Sequence, residues 1–93
     1  MKQFQKVLDT MKAVHEAKNH DYGNSFAKSF QEFGIIAPIV RMSDKMERLK
    51  NLCKKEAKVN ESIKDTLLDL ANYAAMTLAE IERQEINNII ENA

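Results

Sequence analysis

Residues 61–76 read ESIKDTLLDLANYAAM, and the fold follows from how that stretch winds. Each residue of an α-helix advances about 100°, which puts Ile63, Leu67, Leu70 and Ala74 on one side, continued by Leu78 and Ile81. Glu61, Asp65, Asp69 and Asn72 follow one another in steps of four, four and three on the other side. No glycine or proline interrupts the chain from here onward, and Asn60 is a good N-cap. One helix is therefore expected from about 61 to the mid-80s or beyond. Its acidic side does not stay polar. Beyond Asn72 it carries Ala75, Met76 and Ala79, with Leu68 close by. A helix apolar on two sides expects burial on two sides, so a second subunit is expected over the face that the chain's own core leaves.

Working back toward the N-terminus, the polar segment KKEAKVN (54–60) reads as a linker. Before it, Ile39, Met42, Met46, Leu49 and Cys53 recur at helical spacing, and Pro38 suits a first turn, which predicts a helix over about 38–55. Residues 25–33 predict a short helix burying Phe26, Phe30 and Phe33, with Gly34 as the residue that ends it. Phe4, Val7, Leu8, Met11, Val14 and His15 make one stripe of a helix over 2–18, with His15 read as a packed histidine. NHDYGN (19–24) is expected to break that helix, Gly23 supplying the freedom for a turn. The expected architecture is all-α: three main helices and a short one in a single domain over 1–93.

Composition agrees and narrows the possibilities. The 93 residues include only two glycines and one proline, and are 44% hydrophobic and 30% charged. Fourteen basic and fourteen acidic residues cancel, so the basic excess of a nucleic-acid binder is missing. One cysteine, Cys53, makes no internal disulfide. No apolar run has the length of a signal peptide or a membrane span, and the expected location is the cytoplasm.

The acidic residues carry the chemistry. Asp44 and Glu47, three apart, lie side by side between Arg41 and Arg48, away from the Met42/Met46/Leu49 stripe. Glu61, Asp65 and Asp69 line the next helix. Like charges one turn apart destabilise a helix by a few tenths of a kcal/mol per pair. The plain reading is a solvated face, with Glu61 and Asp65 favoured by the helix dipole. The sharper reading is a divalent-cation site: carboxylates from two helices suit Mg²⁺, which keeps several waters and completes its octahedron with substrate phosphates. Arg41, Lys45 and Arg48 are phosphate contacts on that reading and intrahelical ion pairs on the plain one. Lys18, Asp21 and Tyr22 either close over a nucleotide or form an ordinary turn. Asn72 is a candidate for reading a base or sugar hydroxyl.

Four blocks, KNHDYGNSF (18–26), EFG (32–34), VRMSDKMERLKNL (40–52) and ESIKDTLLDLANYA (61–74), resemble in that order the nucleotide modification associated domain 1 family of phages and bacteria. That family is itself similar to the all-α nucleoside triphosphate pyrophosphohydrolases, the MazG-like and dimeric dUTPase-like enzymes. The resemblance implies a four-helix-bundle-like chain assembled as a homodimer or homotetramer, in the host cytoplasm if phage-encoded. It implies Mg²⁺ or Mn²⁺ held by E-x-x-E and E-x-x-D motifs, and cleavage of a (d)NTP to (d)NMP and pyrophosphate. Asp44 and Glu47 match the first motif and Asp65 the Asp of the second, which makes these three the implied catalytic carboxylates. Position 62, where the pattern places a Glu, is Ser62; Glu61 is next to it and Asp69 one turn beyond Asp65. The alternatives to a hydrolase are a nucleotide-binding module that does not turn over, or an accessory protein acting through helical protein contacts.

Overall fold

The computed structural model describes residues 1–22, 24–54 and 60–92, and the side chains of all of these except Asp21, Tyr22, Asn60, Glu61 and Ser62. Every element among them is helical: α1 (Lys2–Tyr22), α2 (Ser25–Phe33), α3 (Ile36–Cys53) and α4 (Asn60–Glu91). None of these helices is long and apolar enough to cross a membrane.

Helix boundaries depart from the sequence expectation by a few residues, for identifiable reasons. Helix α1 continues through Asn19, His20 and Asp21 to Tyr22, four residues past its expected end. Those residues cost a helix only fractions of a kcal/mol each, and His20 sits in the last turn, where the helix dipole favours positive charge. The turn expected at Gly23 lies outside the described residues, as does the linker over 55–59. Helix α3 begins at Ile36, so that Pro38 is its third residue, still inside the turn whose N–H groups need no helical partner. It ends at Cys53, two residues earlier than expected. Gly34 does close α2: with φ 74° it occupies a conformation that a side chain disfavours, and its N–H donates to the Phe30 carbonyl at 2.8 Å. Asn60 is the first residue of α4.

Helices α3 and α4 form the central pair, α2 packs on α3, and α1 lies along α4. Contacts fix the directions. Lys45 meets Asp69 and Arg48 meets Thr66, so α3 and α4 run antiparallel. Lys18 meets Asp69 and the Met11 carbonyl meets Asn72, so α1 and α4 are antiparallel as well.

The face that α4 buries is not the one its leucines suggest. Thr66 (2% exposed), Thr77 and Glu80 are the buried residues of α4, with Asp69, Leu70 and Tyr73 half-buried beside them. Leu67 is 50% and Leu78 57% exposed, and Ala74 faces solvent with them. The expected apolar face of α4 is thus split: Ile63, Leu70 and Ile81 are half-buried, whereas Leu67, Ala74 and Leu78 are turned outward. The physical reason is that polar partners dock this helix. Arg48 Nε donates to Thr66 Oγ1 at 3.2 Å, Lys45 donates to Asp69, and the Thr77 hydroxyl donates to its own helix at the Tyr73 carbonyl, 2.6 Å away. Satisfied in this way, polar groups can be buried at little cost. Glu80 is paired with Arg83 at 2.6 Å.

Other expected core positions are also open. Phe33 is 62% exposed, whereas Phe30 is buried and Phe26 half-buried. Ile39 and Met46 of the α3 stripe, and Phe4, Val7 and Leu8 of the α1 stripe, are exposed, and so is Cys53. Among the described residues only Phe30 and Pro38 are fully buried apolar side chains. The accessible surface is 7369 Å², against roughly 5,500 Å² for a folded monomer of this mass. The radius of gyration is 15.6 Å, against about 12 Å for a compact domain of this length.

Candidate functional site

All four helices contribute to one pocket of about 370 Å³. Its position follows from the antiparallel packing of α1 and α3 against the same stretch of α4. Lys18 of α1 and Lys45 of α3 reach Asp69 of α4 from opposite sides, at 2.5 Å and 3.0 Å. Arg41, one turn before Lys45 on α3, brings a third cation to the lining. One carboxylate therefore shares the pocket with three cationic side chains.

Asp69 is the electrostatic centre of this arrangement, with its side chain 19% exposed. Burial by itself raises its carboxyl pKa. Hydrogen bonds from Lys18 and Lys45, and the charges behind them, outweigh burial and hold it below the ordinary carboxylate value. The aspartate is ionised at neutral pH and already neutralised by protein cations.

Aromatic and amide groups complete the pocket. Phe26 of α2 and Tyr73 of α4 stack, with ring centroids 6.2 Å apart and planes 16° from parallel. Asn72 Nδ2 donates to the Met11 carbonyl at 3.2 Å, tying α1 to α4. Because that carbonyl only accepts, the contact also sets which way the amide faces. His15, Asn19, Ser25 and Met76 line the remainder.

A second, more open groove runs along α3, lined by Asp44, Lys45, Glu47, Arg48, Asn51 and Leu52. Lys45 lines both groove and pocket. Glu47 pairs with Lys50 at 3.2 Å, both side chains well exposed.

The residues singled out from sequence divide accordingly. Lys18, Arg41, Lys45, Asp69 and Asn72 come together in the pocket. Asp44, Glu47 and Arg48 lie in the groove instead, and Arg48 turns its guanidinium toward Thr66 of α4. Asp65 is exposed and lines neither cavity. The side chains of Asp21, Tyr22, Glu61 and Ser62 lie outside the described residues. Among the described residues no three of His, Cys, Asp and Glu are grouped so as to hold a metal ion. Within one chain, then, the described carboxylates do not fit the Mg²⁺ or Mn²⁺ centre that their spacing suggests. Asp69, the best placed of them, is instead occupied by lysines.

Sequence reasoning passed over Tyr73, Phe26 and His15. The signal for Tyr73 was present, since it follows Asn72 directly and stands one turn beyond Asp69 on α4. Phe26 and His15 read as core because stripes of apolar residues contain them, and nothing local distinguishes a core ring from a pocket ring.

A family model described as nucleotide modification associated domain 1 matches residues 18–81, a span that includes every pocket residue except His15. No curated protein and no solved structure matches the chain. The chain belongs to the nucleotide modification associated domain 1 family.

Proposed function

We propose that this member of the nucleotide modification associated domain 1 family is a nucleotide-binding protein, taking a (deoxy)nucleotide into the pocket that its four helices share. The observation that carries the reading is the composition of the pocket: Lys18, Arg41 and Lys45 line it together with the stacked Phe26–Tyr73 pair and the Asn72 amide. Phosphates are matched by a forked guanidinium and two ammonium groups. A base is matched by an aromatic face, worth about 1–3 kcal/mol where such stacking has been measured by truncation. An incoming phosphate competes with Asp69 for the two lysines, so binding exchanges one anion for another at the same cations. The volume of about 370 Å³ falls at the smaller end of small-molecule sites, roughly 300–1,000 Å³.

A second reading is favoured by one observation: Lys45 belongs both to the pocket and to the groove containing Asp44 and Glu47. Phosphates held at Lys45 would lie toward those carboxylates, which supports nucleoside triphosphate pyrophosphohydrolysis. There, water attacks the α-phosphorus, pyrophosphate leaves, and a carboxylate accepts the proton of the water. All-helical structure and the nucleotide-linked family are both consistent with kinship to MazG-like pyrophosphohydrolases.

Thermal denaturation with a panel of dNTPs, dNMPs and pyrophosphate, with and without Mg²⁺ or Mn²⁺, tests both readings alongside an assay for released pyrophosphate. Ligand binding to the folded state raises the melting temperature. Stabilisation without product supports the binding module, and stabilisation with product supports the hydrolase. A melting temperature that no nucleotide moves overturns both.

A further inference from the structure

Among the described residues, three cations, Lys18, Arg41 and Lys45, and a single carboxylate, Asp69, line the pocket that the four helices share. With its histidine neutral, the lining carries an excess of two positive charges. Asp69 is not a counter-ion that can leave. Its side chain is 19% exposed, it lies between an ammonium of α1 and one of α3, and the backbone of α4 fixes it there when a ligand enters. Lys45 also lines the groove along α3, which carries Asp44 and Glu47. Glu47 is paired with Lys50, whereas Asp44 has no ion-pair partner among the described residues. Lys45 therefore has fixed negative charge in both of the cavities it lines, and no described group of acids is placed to gather a metal ion that would offset it.

We infer that Asp69 sets how many phosphates the pocket accepts and makes it selective for a nucleoside monophosphate, taken as the dianion without a metal ion; this rests on nucleotide binding in the pocket. A phosphomonoester carries about −1.5 to −2 charges at neutral pH. Held by Lys18, Arg41 and Lys45, it brings the lining close to neutral. A triphosphate brings more charge than the lining offers. Attraction to the cations grows in proportion to ligand charge, but the cost of taking that charge out of water grows as its square. The charge that binds best is therefore the one the site neutralises. Further phosphates also meet the charge of Asp69 in the pocket or of Asp44 in the groove. Repulsion is screened least where water is excluded, and Asp69 is mostly buried. A base stacked on the Phe26–Tyr73 pair contributes alike to every member of the series, so the choice among them falls to the charges.

Calorimetric titration of the intact chain with each deoxynucleoside and its mono-, di- and triphosphate, in excess EDTA and again in Mg²⁺, tests this. In EDTA the monophosphate of the preferred base should bind about tenfold or more tighter than both its nucleoside and its triphosphate. Mg²⁺ should leave the monophosphate affinity within about threefold. Asp69→Asn should narrow the preference for mono- over triphosphate, because it removes a repulsion that grows with ligand charge. Arg41→Gln, at an exposed side chain, should widen it, because it removes an attraction that grows the same way. Helical circular dichroism checks that both variants remain folded. A triphosphate or a bare nucleoside that binds as tightly as the monophosphate in EDTA overturns the inference and leaves nucleotide binding standing. A monophosphate that binds only with Mg²⁺ does the same. An Asp69→Asn chain that loses affinity for mono- and triphosphate by one common factor shows a structural role and also overturns it. Should no nucleotide bind in either condition, the nucleotide-binding reading itself fails, and the inference with it.

Discussion

The two sides of α4 invert the usual relation between polarity and burial. Toward α1 and α3 the helix buries Thr66, Thr77 and Glu80 and half-buries Asp69, all of them polar and all hydrogen-bonded or ion-paired. Away from them it exposes Leu78, Ile86, Ile89 and Ile90, each by more than half. The inner side is held by specific partners, and partners of that kind also make a binding pocket. The outer side offers exposed apolar area instead. In a chain with so small a core, the most apolar face of a helix need not be the one its own fold uses.

The largest loss is expected at the core of the chain itself. Phe30→Ala should cost about 3–5 kcal/mol, because it removes one of the two buried apolar side chains among the described residues and leaves a cavity. Denaturant titration should show that loss at every protein concentration. The outer side should behave differently: the second subunit expected over it makes the melting temperature depend on concentration, and Ile89→Asp should abolish that dependence while leaving the dilute-limit value in place. If the two variants give the same concentration profile, the two sides of α4 are not energetically separate.

On the inner side, Tyr73→Ala removes one ring of the stack and should weaken nucleotide binding about tenfold, read by calorimetry. Tyr73→Phe keeps the ring and should restore most of that affinity. A smaller effect is expected at Asp69. Asp69→Asn should cost about 1 kcal/mol at neutral pH, in line with a partly exposed ion pair. The sign with pH follows from its depressed pKa: the carboxylate stabilises the fold above the ordinary carboxylate value, and that contribution disappears as pH falls through the lower folded value. Melting curves of the native chain and the Asp69→Asn variant should therefore converge on acidification. The same substitution tests what Asp69 is for. As a counter-ion to the lysines, its loss should leave Mg²⁺-free binding of pyrophosphate equal or tighter; as a metal ligand, its loss should remove any Mg²⁺ dependence.

The smallest effect is expected at Glu47, whose pair with Lys50 is well exposed. Glu47→Gln should change stability by less than about 0.5 kcal/mol and leave nucleotide affinity unchanged. Loss of pyrophosphate release in that variant, with affinity intact, would favour the hydrolytic reading over simple binding.

Much of this molecule was legible from residue order, because helix formation is a local matter. A chain with two glycines and one proline has few places to stop, and Gly34 stops one helix where its positive φ is needed. Periodicity located α1 through α4 to within a few residues, and a second apolar face on α4 was visible in Ala75 and Ala79. The blocks from KNHDYGNSF to ESIKDTLLDLANYA carried the family, since motifs are strings. Lys18, Arg41, Lys45, Asp69 and Asn72 of the pocket were identifiable as chemistry-bearing side chains before their grouping was known.

Only tertiary structure decided how α4 is turned and what its aspartates meet. An i, i+4 pattern says which residues share a face, but not which face wins the core. That depends on Arg48 and Lys45, which reach from another helix to Thr66 and Asp69. For the same reason the spacing of Asp44, Glu47, Asp65 and Asp69 suggested one carboxylate cluster, whereas packing sends the first two to a groove, leaves the third in solvent and gives the last to lysines. Helical period is a short-range property of the backbone; the pairing of charges across helices depends on distances that no local pattern encodes.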